Sequence, residues 1–262
     1  MQGLLTSRAV LSLKGEDAVS FLQGIVTQDV TGGAPMFTAL LTPQGKILFD
    51  FFLFPAESGF LIDCDAAALP ALLKRLTMYK LRAKVMLAAR DDLGVFVGAQ
   101  PLALTAFADP RLSSLPVRTI APRKEALSAD DAFDSLRLSL GVPEFGRDFA
   151  GDEMFLLDVN YDGLRGVSYK KGCFVGQEVT SRMKRKGEIR KRTLIVKGAA
   201  LTKGAAVMAG ESTLGEVLSA SGETGLALIR LDRLVSAKAE GRAITVADAP
   251  VQIEVPGYLE AE

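Results

Sequence analysis

The feature that most constrains the fold is a change of texture near residue 190. Beyond it the chain breaks into short apolar segments at 193–196, 206–208, 213–219, 226–231 and 243–246, separated by glycine-rich turns. Strands at that spacing, with no helical pattern between them, predict a small β-barrel. Before residue 190 the periodicity is mixed. Met36 to Thr42, Ile47 to Phe54 and Phe60 to Cys64 read as a three-stranded meander, and Thr42-Pro43-Gln44-Gly45 puts Pro and Gly where a type I turn prefers them. A helix of about Asp17 to Val26 precedes the meander. Another follows from Ala66 to about Tyr79, with Asp65 as its N-cap and Leu69, Leu72, Leu73 and Leu76 on one face. Residues 82–87 then alternate like a half-buried strand, an order that fits a ferredoxin-like α+β half. A second half spans about Asp92 to Lys186, with a helix that opens at a capping-box-like Ser128 to Asp131 and ends at Gly141 before Pro143. The expected organisation is an α+β domain over 1–187 and a barrel domain over 188–262.

Composition narrows the function classes. A chain of 262 residues with 48% apolar, 24% charged and 7% aromatic content reads as a folded, enzyme-like protein that can bury its core without disulfides or metal. Lys plus Arg equals Asp plus Glu at 31 each, so no global field draws the molecule to nucleic acid, and sequence-specific nucleic-acid binding is not expected. The first 20 residues carry charges where a signal peptide needs an apolar core, and Asp50 interrupts the greasiest stretch, so neither secretion nor a membrane span is expected. A monomer in a reducing, cytoplasmic setting is the default. The chain has no histidine, which removes Ser-His-Asp and Cys-His nucleophiles and histidine-based metal sites. Proton transfer near neutral pH then falls to perturbed carboxylates, Lys, Cys or Tyr, or to a bound cofactor.

Chemistry concentrates in Lys171-Gly172-Cys173-Phe174-Val175-Gly176-Gln177-Glu178. Cys173 follows Lys170 and Lys171 and precedes a helix expected to start near Gly176, and cations and helix N-termini both favour thiolate. It reads as a nucleophile, a redox-sensing thiol or a transient ligand for iron or an iron–sulfur cluster. Two cysteines cannot hold a four-thiolate cluster, so no resident metal site is expected. Lys171 would lower the thiol pKa or hold an anion. Gly172 and Gly176 would let the backbone turn tightly or approach a ligand, and Gln177 and Glu178 would hydrogen-bond a heterocycle or cap the helix. Asp50 sits inside an apolar strand, where a carboxylate must be paired or protonated. Asp158, Asn160 and Asp162 alternate, so an extended backbone would aim all three to one side. Thr27 and Asp29 serve equally as caps or as binding groups. From 170 to 192 nine basic residues face two acids, a stretch suited to a folate glutamate tail, an RNA backbone, an acidic partner or a solvated linker.

The octapeptide, together with Gly15-Glu16-Asp17-Ala18, Phe21-Leu22-Gln23-Gly24, Thr27-Gln28-Asp29, Pro43-Gln44-Gly45-Lys46-Ile47 and the 158–164 segment, resembles the YgfZ/GcvT-like folate-binding family. This is the branch of the glycine-cleavage T-protein superfamily linked to iron–sulfur protein maintenance. The resemblance covers nearly the whole chain. It implies a T-protein-like α+β domain followed by a C-terminal barrel, tetrahydrofolate in a central cavity with Cys173 near its mouth, and iron–sulfur assembly or client proteins as partners. Through them it implies iron–sulfur-dependent tRNA modification. Asp158, Asn160, Asp162, Gly172, Gly176, Gln177, Glu178 and Arg111 are the implied folate contacts, and Asp50, Lys171 and Cys173 the implied reactive groups. The related aminomethyltransferases carry G-G-x-I-D-D where this chain has Phe49-Asp50. They also carry a G-Y-T-G-E segment where it reads Asp109-Pro110-Arg111. Those departures argue against aminomethyl transfer. An aminomethyltransferase and a non-catalytic cluster-delivery adaptor stand as the rival readings.

Overall fold

A computed structural model describes residues 1–98, 103–123, 126–185 and 189–260. The chain opens with β1 (Gly3–Leu4), β2 (Arg8–Lys14), α1 (Ala18–Gln23), β3 (Met36–Leu41), β4 (Ile47–Ala56), β5 (Gly59–Asp65), α2 (Leu69–Lys80) and β6 (Met86–Ala89). Strands β2 to β6 form a five-stranded antiparallel sheet in the order β3-β4-β5-β2-β6. Without its edge strand β3 this is the ferredoxin-like order expected from the sequence. The meander forms as read, because Gly45, at φ +85°, closes the β3–β4 turn by donating its N–H to Thr42 O at 2.9 Å. Helix α2 starts later than expected. Asp65 Oδ1 accepts from the Ala68 N–H at 2.8 Å and so caps a preliminary turn, and the helix proper begins beyond it, next to Pro70. Strand β6 likewise begins only at Met86.

The second half supplies β7 (Leu93–Val97), β8 (Thr105–Phe107), β9 (Arg118–Pro122) and α3 (Asp130–Ser139), and its sheet runs β1-β7-β9-β8. The Ser128–Asp131 start of α3 works differently from a simple cap: the Asp130 carboxylate accepts from Thr6, Ser7 and Ser128 and ties the helix to the N-terminal segment. Helix α4 (Gln177–Arg185) closes this part of the chain. One continuous core lies inside, from Leu5 to Phe174, rich in the phenylalanines of β3 and β4. The boundary expected near 188 falls outside the described residues, as do Lys186 and Glu188 of the basic stretch.

The barrel comprises β10 (Lys191–Lys197), β11 (Ala206–Ala209), β12 (Ser212–Ser221), β13 (Thr224–Arg230), α5 (Leu231–Ala239), β14 (Ile244–Val246), β15 (Ala249–Pro250) and β16 (Gln252–Glu254). Its seven strands run β15-β14-β11-β12-β13-β10-β16 around a core of Leu194, Val207, Leu214, Val217 and Ile229. Helix α5 was not expected. It follows β13 directly and buries Leu234 and Ala237, while its other face carries charge. Arg192 pairs with Asp162 at 2.5 Å, Asn160 donates to Thr193 O at 2.7 Å, and Tyr258 donates to Gly141 O at 2.6 Å. These bonds fasten the barrel to the first domain. No helix among the described residues is long and apolar enough to cross a membrane.

Candidate functional site

A cleft of about 550 Å³ opens where the loop after α1, the start of β3 and the loop after β8 meet. Its apolar walls are Met36, Phe37, Phe107 and Pro110, and its polar groups are Gln28, Asp29, Asp109, Ser113 and Arg165. The volume and the mostly apolar lining with a few polar groups are those of a small-molecule site. Phe107 is held by stacking on Phe54 at 5.7 Å, and Phe37 meets the edge of Tyr161 at 4.7 Å.

A buried ionic network lies on the inner face of β4. Arg8 and Arg118 both bind Asp63, at 2.6 and 2.5 Å, and Arg118 and Arg111 both bind Asp109, at 3.0 and 2.8 Å. Glu144 connects Arg8 at 3.4 Å with Arg137 at 3.5 Å. The Phe52 ring lies under the guanidiniums of Arg118 and Arg111, at 4.0 and 4.8 Å. Burial alone would raise Asp109, but the Arg111 and Arg118 charges overcome it and leave its carboxyl at about 2.

Asp50 belongs to this network. Burial pushes its carboxyl up to about 6, against the opposing pull of Arg8 and of a short hydrogen bond donated by Tyr161. The acid expected to act on a ligand is therefore shut inside the core, behind Tyr161 and Phe37. Arg111 is also spent. It is buried and donates Nε and Nη2 to Asp109, so it grips an internal carboxylate and no ligand tail.

Asp158, Asn160 and Asp162 do not share a face. The segment is a run of turns, with Asn160 at φ +61°, so the alternation expected of an extended chain is lost. Asp158 accepts from the Phe155 N–H, Asn160 bonds Thr193 and Tyr258, and Asp162 pairs with Arg192. All three build the junction with the barrel.

The octapeptide is also rearranged relative to expectation. Lys171 is buried and donates its ammonium to the carbonyl oxygens of Gln23, Val26 and Gln28, at 2.9, 2.6 and 3.0 Å. Burial lowers it to about 8, with Asp29 opposing. Its charge thus shapes the loop that carries Gln28 and Asp29 into the cleft, and it is not held for Cys173 or for an anion. Gly176, at φ +81°, is indispensable for packing: a Cβ there would stand 2.8 Å from Thr42 O, against the β3–β4 turn. Gly172 meets nothing within 4 Å, so no close approach explains it. Gln177 and Glu178 line a separate surface depression with Arg182 and Arg185, away from the aromatic cleft. Cys173 is exposed, whereas Cys64 is buried and its thiol is pushed up to about 12 by burial. Among the described residues no three of Cys, Asp and Glu stand close enough together to hold a metal ion.

Sequence reasoning passed over Phe37, Phe107, Ser113 and Arg165. Arg165 carried a signal: a non-glycine residue in the polar turn after Asp162-Gly163-Leu164, which adopts φ +56° here.

The fold is that of the glycine-cleavage aminomethyltransferases. Aminomethyltransferase T of the glycine cleavage system from Bartonella henselae superposes with a TM-score of 0.73 over 98% of this chain and 85% of that one, at 17% identity. Residues 190–261 match the family described as CAF17, C-terminal beta-barrel domain. The mitochondrial iron-sulfur cluster assembly factor IBA57 of Homo sapiens is 31% identical, over 88% of this chain and 77% of that protein. An IBA57 homolog of Coccidioides immitis (strain RS) is 29% identical, over 91% of this chain and 73% of the relative. Some other fungal relatives are longer, and the chain spans about half of their length. The chain belongs to the IBA57 family of iron–sulfur cluster assembly factors. The expected cytoplasmic setting is corrected by the same comparison, since these relatives are named as mitochondrial. The expectation rested on cysteine usage, and two free cysteines do not distinguish the two compartments.

Proposed function

We propose that this protein is a tetrahydrofolate-binding factor in the assembly or repair of iron–sulfur proteins, and through them in iron–sulfur-dependent tRNA modification. The observation that carries the folate reading is the cleft lined by Met36, Phe37, Phe107 and Pro110, mostly apolar, with a few polar groups and a cation, Arg165, on its lining. These residues fit a flat pterin followed by an anionic tail: the apolar lining, with the Phe107 ring, takes the heterocycle and Arg165 takes carboxylates. When bound, tetrahydrofolate would supply one-carbon or reducing chemistry. The chain's own part is to bind and orient it and to shield one of its faces from water. Cys173, exposed on the loop that Lys171 anchors to the cleft, is the group offered to an iron–sulfur client or assembly partner. The family relationship supports that partnership.

Calorimetric titration of the full chain with 5-formyltetrahydrofolate tests the folate half, with micromolar or weaker binding expected; no binding at millimolar ligand by folded protein rejects it. Cys173→Ser tests the assembly half. It should fold normally and fail to restore iron–sulfur enzyme activity in cells lacking the native protein, and full restoration would reject a role for the thiol.

A further inference from the structure

We infer that Asp29 is the recognition acid of the cleft, accepting a hydrogen bond from an amino group on the edge of a ring seated in it. The inference rests on the folate reading above and names the group that would read a pterin's amino edge. Three charged side chains line the cleft: Asp29, Asp109 and Arg165. Asp109 is fully engaged by Arg111 and Arg118, and Arg165 is a cation, so a donor on the ligand has Asp29 as its available carboxylate.

Asp29 is built to stay in place and to stay ionised. Thr31 donates its N–H and its hydroxyl to the same oxygen, Oδ1, at 3.0 and 2.7 Å, and the Gln23 side chain also donates to the carboxyl, which leaves one of its roughly four acceptor positions for another donor. The Asp29 N–H is itself bound by Gln28 Oε1 at 2.9 Å, and the Gln28 carbonyl is held by Lys171 at 3.0 Å. The bonds from Thr31, with smaller help from Gln23 and Lys171, hold the carboxyl below its usual range. An Asx turn alone accounts for Oδ1, and asparagine would form that turn as well. The turn does not account for a carboxylate that lines an aromatic cleft, and a ring amino group is the complement such an oxygen selects.

Asp29→Asn separates recognition from structure, because Asn keeps an Oδ1 for Thr31 while removing the charge. Calorimetry of the full chain would compare 5-formyltetrahydrofolate with its analogue lacking the 2-amino group. The unaltered protein should favour the amino-bearing ligand by roughly tenfold to a hundredfold, the range expected for one hydrogen bond to a charged group. Asp29→Asn should lose most of that preference and bind the two ligands within a few-fold of each other. Equal preference in both proteins overturns the assignment of Asp29 and leaves the folate reading standing. Absence of binding by the unaltered protein overturns the folate reading itself, and the inference with it.

Discussion

Tyr161 donates its hydroxyl hydrogen to Asp50, joining the turn before the octapeptide to the middle strand of the meander inside the core. The bond explains how an ionisable group survives in an otherwise apolar strand: its partner is as deeply buried as it is, and Arg8 and Arg111 lie close enough to act on its charge. Because the folded carboxyl titrates near 6, above the value for an exposed aspartate, the folded state holds a proton that the unfolded chain releases first.

That sets the sign of a pH effect. The Asp50 contribution to stability is greatest below about pH 4 and declines as pH rises toward 6, by at most about 3 kcal/mol. Asp109 acts oppositely, its stabilising charge being lost as pH falls toward about 2. Asp50→Asn isolates the first effect. Urea unfolding of both proteins should show the variant gaining relative stability between pH 4 and 6, with no further gain above. A difference that is flat with pH would refute the assignment.

Lys171→Met should destabilise the protein by about 2–4 kcal/mol, since three carbonyl oxygens, that of Val26 buried and those of Gln23 and Gln28 partly so, lose a charged donor. Chemical denaturation gives the number. A loss under about 0.5 kcal/mol, the range of ordinary surface changes, would show that water replaces the ammonium freely.

Iodoacetamide at neutral pH should label Cys173 alone in folded protein, because the Cys64 thiol is both enclosed and almost wholly protonated. Peptide mapping by mass spectrometry distinguishes the sites. Labelling of Cys64 before denaturant is added would contradict the packing of β5.

Gly176→Ala should cost about 1–3 kcal/mol, from a left-handed backbone and from a methyl group set against Thr42 O. Gly172→Ala, four residues earlier and facing open space, should be close to neutral. Equal losses in the two variants would mean that the loop, and not the contact with the β3–β4 turn, limits stability.

How much of this was legible in the sequence differs by layer. The meander, the barrel and the helices before residue 190 follow from local patterns, and the meander's turn was written in Thr42-Pro43-Gln44-Gly45; helix α5 does not. The site was less legible because its residues are fixed by long-range partners. Lys171 looks like a loop lysine beside a thiol until the carbonyls of Gln23, Val26 and Gln28 are placed around it. Arg111 looks like a ligand clamp until Asp109 folds back on it. Asp158, Asn160 and Asp162 have the spacing of a strand, but Asn160 tolerates the left-handed turn that breaks the alternation. Phe37 and Phe107 belong to separate sheets, and nothing local marks them as lining one cleft.

The barrel's attachment has a mechanical meaning. A body held at one point swivels, and one held at two points turns about the line between them; a third point off that line stops the turning. Arg192 on Asp162, Tyr258 on Gly141 and Ser219 on Asp148 are three such pins, drawn from the first strand, the tail and the middle of the barrel. Among the described residues, these three attachments hold the barrel against the 141–162 segment more firmly than any one of the bonds would alone.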